Sequence, residues 1–186
     1  MRRSADASVT GARSLPTLSD GRVVLRAAEP RDLTAIEAGI HDPDVIRWIG
    51  PTEGSARDLL VLNEQRWAHG SPTLAICELD GTCVGQVWLN LLEADRSAGF
   101  VGYWLLPIAR GRGLATSAVR LLSSWAVREL GVTKLRLTTA PDNERSQRVA
   151  ERSGYRRVSL PADALPPGRE NQVVFALEEG PSGDAD

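Results

Sequence analysis

A strand that leads through a glycine-rich turn into a long helix is the feature that most constrains the fold of this chain. The run Gly99 to Leu106 has strand character and stops at Pro107. The turn that follows contains Gly111 and Gly113, and from Leu114 to Leu130 apolar residues recur at helical spacing. A strand joined to an amphipathic helix in this way indicates a layered protein that contains both a sheet and helices.

The rest of the chain supplies further strands and helices around this segment. Strand-like runs lie at about 22–26, 73–79, 82–90, 135–139 and 173–177, and helical patterns lie at about 33–40, 55–67 and 143–152. This order predicts one α/β (α+β) domain rather than a helix bundle or a β-sandwich. Residues 1–19 lack periodicity and are predicted to form a flexible arm, residues 20–178 the domain, and residues 179–186 a disordered tail.

The charges argue against a protein that binds nucleic acid through a basic surface. The chain has 22 lysines and arginines against 24 acidic residues, a formal net charge of -2, whereas phosphate-backbone binding needs a basic excess on one face. Lys134 is the one lysine, so the remaining 21 cations are arginines. Two interpretations of this excess stay open: recognition of phosphate by guanidinium groups, or a coding bias.

No apolar run approaches the roughly 20 residues of a membrane helix, and the first residues are polar. We therefore expect a soluble, cytoplasmic protein without a membrane partner. Asp80-Gly81 predicts a two-residue hairpin loop, in which Cys77 faces Val84 and Glu78 faces Cys83. That register puts the two sulfur atoms on opposite faces and disfavours a disulfide. The few cysteines and histidines are not clustered, so no metal site is predicted.

The turn before the long helix is a candidate anion site. Unpaired N–H groups and the positive end of the helix dipole attract phosphate, and glycines let it approach the backbone. Arg110 and Arg112 are expected to add positive charge there. An ordinary strand-to-helix turn remains the alternative. The segment matches neither the P-loop nor the dinucleotide-binding pattern, because the Lys-Ser/Thr pair and a third glycine are missing.

The same turn resembles a known acetyltransferase signature. Arg110-x-x-Gly113-x-Ala115 matches the Gln/Arg-x-x-Gly-x-Gly/Ala pyrophosphate signature of the GCN5-related N-acetyltransferases, and it lies between a strand and a long helix as in that family. The resemblance extends over about residues 18–178. Further segments look like the branch that acetylates N-terminal amines of ribosomal proteins: Leu25-Arg26, Asp42-Pro43-Asp44-Val45-Ile46-Arg47-Trp48, Val101-Gly102-Tyr103-Trp104-Leu105 and Asn143-x-x-Ser146-x-x-Val149-Ala150-Glu151-x-x-Gly154-Tyr155.

This resemblance implies a fold and a ligand. The sheet would be mixed and mostly antiparallel, with a central V-shaped splay between two parallel strands, one ending at Leu106 and the other running from Leu135 to Thr139. Acetyl-coenzyme A (acetyl-CoA) would enter this splay and leave as coenzyme A. The residues implied to bind it are Leu105, Leu106, Pro107, Arg110, Gly111, Arg112, Gly113, Leu114, Ala115, Thr116, Asn143 and Ser146.

The implied reaction is direct attack of a neutral amine on the thioester. A backbone N–H near Leu105 or Leu106 is the candidate oxyanion donor. Many relatives carry a tyrosine where this chain has Ala150, so Ser146 is the candidate that relays a proton to the leaving thiolate. The alternative for Ser146 is a polar residue that only caps the helix, and Asn143 has the same two interpretations.

The acceptor is expected to be the amine of a protein or peptide N-terminus. An α-amine, with a pKa near 7.7 to 8.0, is about a tenth to a fifth neutral at pH 7, so it needs a base less than a lysine does. The candidate substrate residues are Trp48, Glu53, Trp88, Glu93 and Tyr103, although core packing or solvation explains several of them equally well.

Two other functions remain open at this stage. One is acetylation of a small amine such as an antibiotic, a polyamine or an amino acid, and the other is a non-catalytic acyl-CoA sensor. In each case we expect a bacterial cytoplasmic protein, either a monomer or a homodimer.

Overall fold

The computed structural model describes residues 15–161, 165, 168–169 and 171–178. They form one eight-stranded sheet, five helices and two short 3₁₀ turns, at Pro30–Asp32 and Pro107–Ala109. The strands are β1 (Leu18–Ser19), β2 (Val24–Arg26), β3 (Thr73–Cys77), β4 (Cys83–Leu91), β5 (Ala98–Leu105), β6 (Lys134–Thr139), β7 (Arg156–Val158) and β8 (Val173–Glu178). The helices are α1 (Leu33–Ile40), α2 (Pro43–Ile49), α3 (Ala56–Ala68), α4 (Leu114–Leu130) and α5 (Glu144–Arg152).

The sheet is mostly antiparallel, as the family resemblance implies. Its strand order is β1-β2-β3-β4-β5-β6-β8-β7, and β5 and β6 are its parallel neighbours. These two strands pair over three residues each, Ala98–Phe100 with Lys134–Arg136. β5 then continues to Leu105 and β6 to Thr139 without pairing to each other. The predicted V-shaped splay is therefore confirmed.

Helices cover both faces of the sheet, which explains why β3 is buried along its whole length. Leu74 and Ile76 belong to the large core that α4 covers, whereas Ala75 and Cys77 pack on the other face. On that second face α1 approaches β5 closely. A Cβ atom at Gly39 would lie 2.2 Å from the Trp104 ring, so the glycine is needed for this contact.

The hairpin between β3 and β4 differs from the predicted one. Its loop has three residues, since the Glu78 N–H donates to the Thr82 carbonyl and the Gly81 N–H donates to the Glu78 carbonyl. Gly81 adopts a φ of 89°, as a three-residue loop requires at its left-handed position. The register also shifts between Ile76 and Cys77, so that Cys77 faces Cys83.

The two thiols consequently lie on the same face, and the prediction that they lie on opposite faces is wrong. Both cysteines are free and buried, and their sulfur atoms and a carboxylate oxygen of Asp32 lie within 4.8 Å of one another. The Asp32 carboxylate is already bound by Arg26, through Nη1 at 2.7 Å and Nη2 at 2.9 Å. This group is therefore a packed ion pair beside two thiols.

Three short elements escaped the sequence patterns. The strand β1 falls inside the predicted arm of residues 1–19, and Leu15 and Leu18 pack against the core. The helix α2 begins at Pro43 behind an Asp42 cap, and β7 is three residues long. Residues 1–14 and the predicted tail at 179–186 lie outside the described part of the chain. Among the described helices, none has the length and apolarity needed to cross a membrane.

Candidate active site

A cavity of about 940 Å³ lies where β5 and β6 diverge. The end of β5, the turn into α4, the start of α5 and aromatic side chains from α2 and β4 form its walls. Of the residues predicted to bind donor or acceptor, the structure brings together Trp48, Trp88, Tyr103, Leu105, Pro107, Arg110, Gly111, Gly113, Leu114, Ala115, Thr116, Asn143 and Ser146. The cavity is not lined by Leu106, Arg112, Glu53 or Glu93.

The turn before α4 has the backbone geometry of an anion site. Gly111 and Gly113 both have positive φ angles, 76° and 80°, which L side chains rarely adopt. Gly113 is also the N-cap of α4, and no side chain caps the helix there. The first N–H groups of a 17-residue helix therefore point out of its end beside the cavity. Their partial positive charge fits a phosphate group.

The two arginines of this turn do not supply the positive charge that the sequence suggests. Arg110 donates to Asp44 at 2.6 Å, to Asp42 at 2.5 Å and, through Nε, to the Leu105 carbonyl at 3.0 Å. Arg112 pairs with Glu78 at 2.5 Å. Carboxylates offset both guanidinium groups, so the predicted electrostatic role is corrected. Through these hydrogen bonds Arg110 instead links the start of α2 to the glycine-rich turn before α4.

Three other arginines lie beside the turn, and sequence patterns gave no sign of them. A second cavity of about 520 Å³ borders Gly113 at the N-terminal end of α4. The guanidinium of Arg22 is close enough that a Cβ at Gly113 would lie 3.4 Å from its Nη1. The full lining of this second cavity is Asp20, Arg22, Gly113, Thr116, Ser117, Arg120 and Arg152. Because Arg152 lines both cavities, the basic surface is continuous with the main cleft.

Two backbone N–H groups at the end of β5 differ in their hydrogen bonding: that of Leu106 is bonded to β4, and that of Leu105 faces the cleft. The Leu106 N–H donates to the Val84 carbonyl at 2.9 Å, so it cannot serve as the oxyanion donor. In an antiparallel pair, hydrogen-bonded and non-hydrogen-bonded positions alternate. Leu105, which faces Gly85, is therefore at a non-hydrogen-bonded position, and its N–H points away from β4 toward the splay. The oxyanion role of Leu105 stays a prediction, and the Leu106 N–H is not available for that role.

Side chains from β5 and α5 meet across the splay. The Tyr103 hydroxyl donates to Ser146 Oγ at 3.3 Å. Asn143 caps α5, since its Oδ1 accepts a hydrogen bond from the Ser146 N–H at 3.1 Å, and this bond fixes Ser146 in the first turn. Burial raises the pKa of Tyr103. The pair is thus a neutral hydroxyl chain at the wall of the cleft.

The other half of the cleft is aromatic. Trp88 packs so closely on Gly102 that a Cβ there would lie 2.4 Å from its ring. Trp48 lines the cavity from α2, and the Arg47 guanidinium lies 4.3 Å above its ring. Glu53 and Glu93 are exposed and lie outside the cavity, so their predicted contact with the substrate is not supported.

A further arginine, not singled out from the sequence, lies in this half. Arg169 is in the connection between β7 and β8, and its Nη1 donates to Thr138 Oγ1 at 2.8 Å and to Gln172 Oε1 at 3.1 Å. Its only sequence signal was the charge itself, in a segment without periodicity.

Comparisons with known proteins agree with this geometry. The model of the family described as "Acetyltransferase (GNAT) domain" matches residues 22–156. YdaF of Bacillus subtilis, named as a candidate ribosomal N-acetyltransferase, is 31% identical over 86 residues, 46% of this chain and 47% of YdaF. The chain thus spans about half the length of that relative.

Solved structures share the whole fold. An acetyltransferase from Agrobacterium tumefaciens superimposes with a TM-score of 0.75 and 26% identity, over 90% of this chain and 96% of that one. RimJ of Mycobacterium smegmatis, solved with CoA-disulfide, has a TM-score of 0.70 and 22% identity, over 90% and 88% of the two chains. The chain belongs to the GNAT family of acetyl-CoA-dependent N-acetyltransferases.

Proposed function

We propose that this protein acetylates the α-amine of a protein or peptide N-terminus. The family supplies the reaction, transfer of an acetyl group from acetyl-CoA to an amine. One observation carries the choice of acceptor. Asp44 is the one acidic residue among the described residues that line the cleft, and its carboxylate accepts a hydrogen bond from Arg110 at 2.6 Å. The described part of the cleft therefore has no carboxylate free to act as a base.

An acceptor in such a cleft must lose its proton without help. About a tenth to a fifth of an α-amine is neutral at pH 7, whereas a lysine side chain is neutral only about once in 2,500. The N-terminal amine is thus favoured by roughly two orders of magnitude before any contact is made. The naming of YdaF for ribosomal acetylation supports the same choice.

The donor fits the opposite half of the cleft. We assign its phosphate groups to the N–H groups at the start of α4 and to the basic surface of Arg22, Arg120 and Arg152. Its pantetheine arm would follow the edge of β5 that β6 leaves unpaired. This placement brings the thioester to the end of β5, beside Leu105 and Tyr103.

The residues there have complementary tasks. As the amine nitrogen bonds to the acetyl carbon, the Leu105 N–H stabilises the charge that develops on the carbonyl oxygen. When the carbon–sulfur bond breaks, the sulfur keeps the electron pair and must gain a proton. We assign the donation of this proton to Ser146, which regains one from Tyr103, whose hydroxyl contacts it, while water returns a proton to Tyr103 so that no phenolate remains. The amine releases its own proton to water.

Matched peptides test the proposal. One peptide has a free N-terminus and no lysine, and its partner has a blocked N-terminus and one lysine. We expect acetylation of the free N-terminus to be about 100-fold faster at pH 7, because of the difference in neutral amine. Thiol release gives the rate and mass spectrometry gives the modified position.

Turnover of small amines without turnover of any free N-terminus would replace the proposal with the small-molecule alternative. Binding of acetyl-CoA without turnover of any amine would indicate the sensor. A cytoplasmic location, and a monomeric or homodimeric state, stay predictions that fractionation and sedimentation can test.

A further inference from the structure

Arg169 differs from Arg26 and Arg110, two other arginines that the fold partly buries. Arg26 has a side chain 11% exposed and is bound by both oxygens of Asp32, and Arg110 is bound by Asp42 and Asp44. Arg169 instead contacts the neutral oxygens of Thr138 and Gln172. Within the described ranges no carboxylate lies within ion-pairing distance of it. Burial lowers the pKa of Arg169, which reflects the cost of holding its charge away from water.

The Arg169 guanidinium also has N–H groups that make no hydrogen bond to the described residues. A guanidinium carries five N–H groups in a planar fork, and both described hydrogen bonds of Arg169 come from Nη1. The Nε and Nη2 groups have no hydrogen-bond partner among the described residues. A planar fork with free donors is the group that binds a carboxylate or a phosphate in bidentate fashion.

The position of Arg169 places this charge beside the acceptor half of the cleft, the aromatic half that Trp48 and Trp88 line. Its partner Thr138 lies on β6, two residues past the last pair of the parallel register, Phe100 with Arg136. Extending that register puts Thr138 opposite Gly102, next to Tyr103, across the opened gap. The donor phosphates are assigned to the other end of the cleft, at the start of α4. An anion near Arg169 would thus belong to the acceptor.

A second desolvated arginine borders the same half. Arg66 on α3 donates to Asn90 Oδ1, and Asn90 lines the cavity next to the aromatic wall. Burial lowers the pKa of Arg66 as well, and its described hydrogen-bond partner is again a neutral oxygen. The positive potential of two arginines is focused into a cleft whose one described carboxylate is already neutralised.

We infer that the acceptor carries an anionic group close to its reactive amine and that Arg169 recognises this group. This inference rests on the proposed function, under which the acceptor is a peptide whose N-terminal segment contains Asp or Glu within its first residues. Arg169 then determines specificity, while Leu105, Tyr103 and Ser146 serve the transfer itself.

The test compares peptides that differ by one charge. Wild-type protein and the variants Arg169→Gln and Arg169→Lys are assayed with peptides that have Glu or Gln at the second position. We expect wild type to prefer the Glu peptide about tenfold in kcat/KM, as a charged hydrogen bond provides. Arg169→Gln should reduce the preference to less than twofold, and Arg169→Lys should retain part of it. Arg128→Gln, an equal charge change at an exposed residue near the end of α4, should leave it unchanged.

The ratio of rates separates recognition from a structural role, because a loop that merely loosens lowers both rates together. Acetylation of both peptides at equal rates by wild type would overturn the inference and leave the proposed function standing. An amino acid and its amide form a second pair. If neither peptide reacts but the amino acid reacts faster than its amide in an Arg169-dependent way, the proposed function fails and the inference stands. If no amine reacts, calorimetry measures the binding of the Glu and Gln peptides instead. Binding of the Glu peptide about tenfold more tightly, in an Arg169-dependent way, would support the inference, and equal affinities would overturn it.

Discussion

The two halves of the cleft are built in different ways. The half proposed to bind the donor is centred on one continuous segment, Leu105–Thr116, with the backbone N–H groups at the start of α4, and the arginine side chains Arg22, Arg120 and Arg152 flank it. The acceptor half collects side chains from α2, β4, β5 and the β7–β8 connection. Backbone N–H groups recognise a phosphate whatever the neighbouring side chains are, whereas side chains from separate elements change independently. The contrast explains how one fold can keep its acetyl donor while its acceptor varies.

The largest effect is expected from a substitution that disrupts the proposed donor half of the cleft. Gly113→Glu puts a side chain at a φ of 80° and a carboxylate near Arg22 Nη1, at the end of α4 where a phosphate should bind. We expect the dissociation constant for acetyl-CoA to rise about 100-fold or more, measured by calorimetry, because repulsion and bulk add to the lost site.

The matched control is Gly131→Glu at the other end of the same helix, where φ is 68° and no atom lies within 4 Å of the new Cβ. It should cost about 1–2 kcal/mol of stability through strain but leave acetyl-CoA affinity unchanged. Equal affinities of Gly113→Glu and wild type would remove the turn from the donor site.

The next effect lies where the two halves meet. Tyr103→Phe and Ser146→Ala each break the hydroxyl pair. We expect kcat to fall about 100-fold in either variant, with little change in acetyl-CoA affinity, because positioned proton delivery contributes on the order of 100-fold or more. The double variant should be no slower than the worse single one, since both residues act in one relay. Wild-type turnover in both single variants would contradict the relay.

The pH profile gives an independent readout of that relay. Burial disfavours the phenolate, so the pKa of Tyr103 lies above its usual value of 10 and the hydroxyl keeps its proton. The rate should therefore rise as the amine loses its proton near pH 8 and then stay level to about pH 9.5. A rate that falls between pH 8 and 9 would indicate a different acid.

The smallest effect concerns the link between the halves. Arg110→Gln leaves Asp42 and Asp44 without their cation, and we expect the free energy of unfolding to fall by about 2 kcal/mol in urea titrations at pH 7. Arg112→Gln, which removes the more exposed pair with Glu78, should cost less than about 1 kcal/mol.

At acid pH, the difference in the free energy of unfolding between Arg110→Gln and wild type should become smaller. Burial acts to raise the pKa of Asp42, but the hydrogen bonds from Arg110 and the Val45 N–H outweigh it, and the pKa lies below its usual 3.8. A depressed folded-state pKa stabilises the protein above the unfolded value and loses that contribution as the pH falls through the folded value. An unchanged difference at pH 3 would show that Asp42 is not the partner that matters.

Local elements were the most predictable part of the fold. Ser55 accepts a hydrogen bond from the Asp58 N–H at the start of α3, Asn143 caps α5 and Gly131 ends α4, as their sequence positions suggest. Each signal lies within one helical turn of its effect. The Asp80-Gly81 turn was placed correctly but its loop length was not, because the bulge at Cys77 depends on strand pairing rather than on the two turn residues.

The sequence by itself determined the glycine-rich turn before α4 and the amphipathic α4, because these follow from backbone conformation and spacing along the chain, whereas the splayed sheet was implied by the family resemblance. Only the tertiary structure decided which partners the charged and hydroxyl groups have. It neutralised Arg110 with carboxylates 66 and 68 residues away, brought Tyr103 to Ser146 across 43 residues, and gave Arg169 neutral partners. Ion pairs and hydroxyl contacts depend on which distant side chains the fold places within a few ångströms, and no spacing along the chain encodes that.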